Sequence, residues 1–483
     1  MSVEFKLGCV SVAELASAVS GKIHLYGNAS DSMECTGIDI DSRKIGEGDI
    51  FVAIKGERVD GNDYAAKAIE SGAVCILARS IPSGIEEVKG DFAVVLCADP
   101  TIAVGDLARV YKRRKNIRTV GVTGSVGKTT TKELIYAVLS EKFKVLKTEG
   151  NHNNELGMPL TILGMEADTE AAVLEMGMCD FREIAYLSSI AEPDFGIVTT
   201  IGSSHIETLG SRENICKAKM EIAEGLKENG ELVLCGDEPL LYAYKNSECK
   251  PTFISVYNND AEFRAVNVRY ADNNTYFDLI HDREVITNLV VPALGIHHVY
   301  SALFAYAVGT KFGIDGESIR EGLTKFKNAA MRQSIYDIGG VKVIDACYNA
   351  SPESMRASIE VLCELSRQNG GARKMALLGD MRELGQETRA LHEGLGAFVA
   401  EKKLDRLFTY GVAASFIASS AKENGMDAEH IHDNPDITDP LTSGKAILDE
   451  IRAGDIILFK ASRAMAAEKI LTYLRENENK IRG

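Results

Sequence analysis

The stretch Gly121–Ile135, GVTGSVGKTTTKELI, decides how this chain is read. A β-rich run, IRTVGVTG, ends in a glycine turn that opens a helical pattern, KTTTKELIYAVLSEKF. Such a junction brings backbone N–H groups and the positive end of a helix dipole to one point, where phosphate oxygens bind. The spelling departs from the common phosphate loop, G-x-x-x-x-G-K-[ST]. Val122 stands where the first glycine belongs, Gly121 comes one place early, and Gly124 lies inside the loop. Lys128 is placed to reach terminal phosphates and Thr129 to ligate Mg²⁺, with Thr123, Gly124, Ser125, Val126, Gly127 and Thr130 completing the cradle. A glycine turn beside a chance Lys-Thr pair is the plainer alternative. Strand, glycines, lysine and threonine in the required order favour nucleoside triphosphate binding.

Outward from the loop, the strands AAVLEMG (Ala171–Gly177), FGIVTTIG (Phe195–Gly202) and GELVLCG (Gly230–Gly236) alternate with helical stretches such as SRENICKAKMEIAEGLKENG. This alternation predicts a largely parallel sheet. A more β-like patch follows, FRAVNVRYADNNTYFDLIHDREVITNLVV, and two helices close the unit near residue 328. Upstream, DIFVAIKG reads as a strand, NDYAAKAIESGAVCILA as helix, Gly72 stop and strand, and DPTIAVGDLARVYKRR as a helix with an Asp-Pro start. Downstream, the strand candidates in GGVKVIDACYNASPESM, RKMALLGDM, LDRLFTYG and GDIILFKASRAMAAEKIL again alternate with helices. The expected architecture is α/β in three domains. A small α/β module spans 1–112, a central phosphate-loop domain with a mainly parallel sheet spans 113–328, and a Rossmann-like domain spans 329–483.

The 483 residues suit roughly three domains of about 150 each. With 54 basic and 70 acidic side chains the net charge is −16, which argues against nucleic acid or an anionic membrane as partner. Phosphates must then be held by local groups. Ten cysteines without a C-x-x-C pair suit reduced thiols in the cytoplasm. No secretory leader pattern is present at the start, and no apolar run approaches the roughly 18 residues of a membrane span. A GTPase is expected to show an N-K-x-D motif and a nucleic-acid motor basic helicase motifs; neither occurs.

The T-G-x-x-G-K-T-T spelling resembles that of the Mur ligases and their relative folylpolyglutamate synthase. Further motifs of the Mur ligase family line up in order over nearly the whole chain. TEGNHNNELGMPLTIL is similar to T-x-x-N-x-N-N-x-x-G-x-P-L-T, and LEMGM to a glutamate-bearing strand. PDFGIVTTIGSSHIETLGSRENICKAKMEI resembles a segment with a histidine and a later lysine. VIDACYNASPESM and LLGDMRELG resemble D-x-Y-N-A-N-P-x-S-M and G-D-M-x-E-L-G, and DSRKIGEGDIFVAIKGERVDGNDY a uridine-nucleotide module. Five positions depart from the pattern. His298 and Ser301 replace asparagines, Ser351 replaces another, Ala461 stands for glycine, and Asn62 for histidine.

The resemblance implies an ATP-dependent amide ligase of peptidoglycan precursor synthesis, monomeric and cytoplasmic. It would join D-Ala-D-Ala to UDP-N-acetylmuramoyl-tripeptide through an acyl phosphate, with ATP and two Mg²⁺. Rivals are another Mur-type ligase, folylpolyglutamate synthase and a non-catalytic ATP-gated scaffold. The preceding ligase of the series would carry a D-N-P-R motif, whereas HDNPDIT lacks the arginine. The resemblance casts Lys128, His205 and Lys219 as catalytic, and Thr129, Glu175, His205 and Lys219 as metal ligands, Lys219 as its CO₂-derived carbamate. A carbamate requires a neutral amine, hence a lysine of lowered pKa. Two lysines two apart, Lys217 and Lys219, face differently on a helix, and Lys217 is expected on the exposed side. His298, Arg332, Asp345 and Tyr348 are cast as ATP contacts. Substrate contacts fall to Ser42, Arg43, Gly56, Asp60, Asn62, Asn151, Asn153, Asn154, Asn349, Lys460, Ser462 and Arg463.

Overall fold

The computed structural model describes residues 3–481. Three main sheets follow one another along the chain, and each is built mostly of parallel strands. The first joins Gly37–Asp39, Asp49–Val52, Cys75–Ala78 and Phe92–Leu96 in parallel, with antiparallel edges at Val3–Glu4 and Lys22–Tyr26. The helix Pro100–Lys115 follows. Asp99 caps it by accepting from the backbone N–H of Thr101 and Ile102, and Pro100 fills its first turn, where a missing N–H costs nothing. A boundary at residue 112 falls inside its last turn. The helix packs against the central unit's helices Gly157–Leu163 and Glu183–Ala191, and one hydrophobic core runs through both units.

In the central sheet the loop strand Arg118–Thr123 lies between Ala171–Glu175 and Phe195–Val198, all three parallel. Their register pairs Glu175 with Val122, and Val198 with Thr123. The carboxyl ends of three neighbouring strands therefore meet at one edge, where α/β sheets gather ligands. The strands Ala171–Glu175 and Phe195–Val198 are near-continuous apolar runs, as parallel strands covered on both faces tend to be. The alternating patch forms an antiparallel meander, Phe263–Ala271, Asn274–His281 and Glu284–Val291, that extends the far edge of this sheet. The helical reading of SRENICKAKMEIAEGLKENG is too long: the α-helix stops at Met220 and a 3₁₀ turn continues to Gly225.

The third sheet runs Ser334–Ile338, Val341–Asp345, Ile456–Lys460, Lys374–Gly379, Arg406–Tyr410, Ile431–Asn434, parallel except for its first strand. Two separate apolar clusters cover its faces. All ten cysteines are free thiols. Among the described residues no helix is long and apolar enough to cross a membrane.

Candidate active site

The loop after Thr123 turns on two glycines, both with positive φ, the first also without room for a side chain. Gly124 has φ +144°, and a Cβ there would lie 1.9 Å from the Thr199 hydroxyl; Gly127 has φ +89° at the start of the helix Lys128–Leu139. Thr199 fastens the loop by donating to the Val126 carbonyl at 2.6 Å, and Ser125 N–H donates to the Thr200 carbonyl. Lys128 folds back so that Nζ donates to the Gly124 carbonyl at 2.8 Å. Burial depresses its pKa, Arg332 pushes it further down, and Glu175 pulls it back up.

Glu175, 1 % exposed, is the hub. Its Oε2 accepts from the Thr129 hydroxyl at 2.8 Å and its Oε1 from Asn153 Nδ2 at 2.9 Å, while its own N–H donates to the Thr148 hydroxyl at 3.0 Å. The phosphate loop and the Asn151–Asn154 loop are thus joined through one carboxylate. Asn154 has a second task, accepting from Gly157 N–H at the start of the next helix.

His205 sits just beyond the strand Phe195–Val198, with φ +66°. Its Nδ1 lies 2.6 Å from Oε2 of Glu383 in the third domain. That hydrogen bond holds the Glu383 carboxyl below its usual range against the opposing effect of burial. Two residues earlier, Ser203 donates from both N–H and hydroxyl to Glu353 Oε1 at 2.9 Å. Lys219 is 1 % exposed whereas Lys217 is exposed, so one helix face carries each lysine. Burial drives the Lys219 amine well below its usual pKa, and the charge of Lys128 adds to the effect. The described residues give that amine no hydrogen-bond or ion-pair partner.

A cleft of about 830 Å³ lies among these parts between the central and third domains, with Thr129 and Lys219 buried and not on its wall. It takes in Lys128, Glu175, His205, all three asparagines, His298, Arg332, Tyr348, Asn349 and Lys460. The Arg332 guanidinium lies 3.9 Å from the centre of the Tyr348 ring. Lys460 donates to the Asn349 carbonyl at 3.0 Å, and burial lowers its pKa to about 8. His298 is 2 % exposed, its Nδ1 has no partner, and burial holds it neutral well below its usual pKa. Its neighbour His297 also lines the cleft.

Other expected site residues lie elsewhere. Asp345 is buried behind the cleft, accepting from the Tyr336 hydroxyl and Cys347 N–H. Ser462 is buried with its hydroxyl unpartnered, and Arg463 pairs with Glu468 at 3.4 Å. In the first domain Ser42 is buried and Arg43 is exposed, bonded to Asp41 at 2.8 Å. Asp60 accepts from Asn62 N–H, and Gly56 N–H donates to the Val59 carbonyl. None of these residues is part of the cleft wall.

The donor set suits Mg²⁺. Glu175 and Thr129 offer hard oxygens, and among the described residues no cluster of three or more His, Cys, Asp and Glu could hold a metal alone. Mg²⁺ characteristically takes one or two carboxylates and completes its shell with substrate phosphates and water. His205 fits as well. A ligating histidine normally gives its other N–H to a carboxylate, which is what Glu383 accepts here.

Family models for the Mur ligase middle domain (residues 122–309), the Mur ligase glutamate ligase domain (331–463) and the Mur ligase catalytic domain (34–119) match in succession. The UDP-N-acetylmuramoyl-tripeptide–D-alanyl-D-alanine ligase of Bacillus subtilis is 40 % identical over 91 % of this chain and 93 % of its own. The chain belongs to the Mur ligase family. Among solved structures, a Mur ligase from Acinetobacter baumannii, MurF, aligns over 98 % of this chain and 100 % of its own, with TM-score 0.85 and 28 % identity. MurF ligase from Thermotoga maritima, solved in complex with ADP, covers 92 % of this chain and 98 % of its own, with TM-score 0.81 and 30 % identity. These Mur ligases share the three-domain arrangement found here.

Sequence reasoning missed Glu383, Glu353, Ser203 and Lys132. Glu383 lies within the quoted LLGDMRELG, but only the folded chain brings it to His205. Lys132 carried a usable signal. It follows Lys128 by four residues, one turn along the same helix face.

Proposed function

We propose that this protein is the ATP-dependent amide ligase that joins D-Ala-D-Ala to UDP-N-acetylmuramoyl-tripeptide in peptidoglycan precursor synthesis. The observation that carries the reading is the Thr129–Glu175–Asn153 chain, which ties the phosphate cradle to an amide-rich substrate loop in one cleft. The names of the relatives and of the aligned structures support the same reaction. The segments 1–112, 113–328 and 329–483 then serve the uridine nucleotide, ATP and D-Ala-D-Ala respectively.

The first step brings together two anions, the tripeptide carboxylate and the γ-phosphoryl group. Lys128 supplies a cation beside the cradle, and the loop N–H groups face the phosphates. Thr129, Glu175 and His205 would hold Mg²⁺, which when bound would supply charge neutralisation for the transfer. Glu383 occupies Nδ1 of His205, which leaves Nε2 as the nitrogen free to ligate. The lowered pKa of Lys219 supplies the neutral amine that adds CO₂, and the carbamate so formed would set an anion near the charge of Lys128. Asn151 and Asn153 orient the tripeptide, and Arg332, Tyr348 and His298 border the nucleotide. Asn349 and Lys460 border the incoming dipeptide, whose amine displaces phosphate from the acyl carbon. Third-domain contacts exclude water from that mixed anhydride.

Phosphate release measured with each substrate omitted in turn tests the reading. Release must require both the nucleotide tripeptide and D-Ala-D-Ala. Equal ATP hydrolysis without either would overturn it.

A further inference from the structure

Lys132 is 1 % exposed, an extreme rarity for lysine, and its charge is used inside the protein. Its Nζ donates to the Thr148 carbonyl and lies 3.0 Å from Glu133 Oε1 and 3.9 Å from Glu175 Oε2. Thr148 in turn receives the Glu175 N–H on its hydroxyl and begins the segment that leads to Asn153. Glu133 is held from its other side by Lys147 at 2.6 Å, on the strand Val145–Lys147 that enters this segment. One buried ammonium thus touches three things at once: the helix of the phosphate loop, the hub carboxylate and the root of the asparagine loop. At 3.9 Å it makes no hydrogen bond to Glu175 and acts on that carboxylate through its charge and through Thr148.

We propose that Lys132 is a positioning residue for the ligase reaction, setting Glu175 for Mg²⁺ and the asparagine loop for the tripeptide. The inference rests on the reading of the site given above. A side chain that orients a ligand without touching the metal commonly changes metal affinity by about 10–100-fold.

Removing Lys132 alone would leave half-buried Glu133 and buried Glu175 with less compensation, so the test variant is Lys132→Met with Glu133→Gln. Calorimetry follows ADP binding to the full-length protein as Mg²⁺ is titrated, and steady-state kinetics follow ligation. The expected result is a Mg²⁺ requirement for ADP binding raised by about 10-fold or more, and a raised KM for the nucleotide tripeptide. The kcat at saturating Mg²⁺ and substrate changes less, and Lys132→Arg recovers part of the loss. A Mg²⁺ titration that superimposes on the parent's, or a uniform fall in kcat with unchanged Mg²⁺ response, would overturn the proposal. Glu175→Gln separates the two levels. If that variant keeps the parent's Mg²⁺ response, the site reading fails; if it loses the response while the double variant keeps it, only the role of Lys132 fails.

Discussion

His205 Nδ1 and Glu383 Oε2, from different domains, meet at 2.6 Å. Both residues hold left-handed backbone, φ +66° and +63°, a conformation non-glycine residues adopt only when their surroundings impose it. A second bond lies alongside, Glu207 N–H donating to the Glu383 carbonyl at 3.2 Å. Glu383 therefore bridges the third domain to the imidazole proposed above as a magnesium ligand. Glu383→Ala should lower kcat/KM by about 10–100-fold through misplacement of the site, and should enlarge the radius of gyration in solution scattering. The lowered carboxyl pKa fixes the sign with pH. The bridge is intact above the ordinary carboxylate range and is lost as pH falls through the depressed value. Unchanged kinetics and scattering in the variant would show that the contact does not latch the domain.

Gly124 has no room for any other residue. A Cβ would meet the Thr199 hydroxyl at 1.9 Å and its backbone nitrogen at 3.0 Å, with φ +144° adding strain. Thr199 cannot yield without releasing the Val126 carbonyl it holds. Gly124→Ala should abolish measurable ADP binding and lower the melting temperature. Gly150, φ +55° with no neighbour within 4 Å, is the control: Gly150→Ala meets backbone strain alone and should keep nucleotide affinity. Normal ADP affinity in the Gly124 variant would mean that the loop is not the phosphate cradle.

What could be read from the sequence was whatever local order encodes. The loop strand, its glycines and its helix are contiguous, so Lys128 and Thr129 declared themselves, and the Asp99-Pro100 start was visible for the same reason. Burial is not local. Lys132 reads as an ordinary helix lysine until the fold places Thr148 and Glu175 around it, whereas Lys219 is told from Lys217 by the family resemblance and not by local pattern. Contacts between domains were the least legible. Nothing near Glu353 announces that it accepts from Ser203, 150 residues away.

Lys219 offers a test of the carbamate. An amine that is 1 % exposed and lacks a partner is expensive to keep charged, so substitution by an apolar residue should relieve the site. Lys219→Met should match or exceed the parent's melting temperature in CO₂-free buffer, yet lose ligation by at least about 100-fold, a deficit typical of lost transition-state charge stabilisation. Labelled ¹³CO₂ should give a carbamate resonance in the parent and none in the variant. Retained activity, or a resonance unaffected by the substitution, would sink the assignment.

Lys112, 4 % exposed, sits in the helix Pro100–Lys115 where the first and central domains pack. Burial lowers its pKa from 10.5 to about 8, with Lys227 adding to the effect and Glu192 and Asp194 opposing it. An unfolded chain therefore binds a proton that the folded chain has released between about pH 8 and the ordinary lysine value, and stability rises with pH through that window. Below pH 8 the folded protein bears the whole cost of a buried ammonium, about 3 kcal/mol for a shift of this size. Lys112→Met keeps the methylene packing and removes the charge. The variant should be more stable than the parent at pH 7, and the difference should shrink as pH rises from 8 toward 10. Urea unfolding at the two pH values decides it: a variant that is less stable at pH 7, or a difference that does not change with pH, would mean that the ammonium is paid for by Glu192 and Asp194 after all.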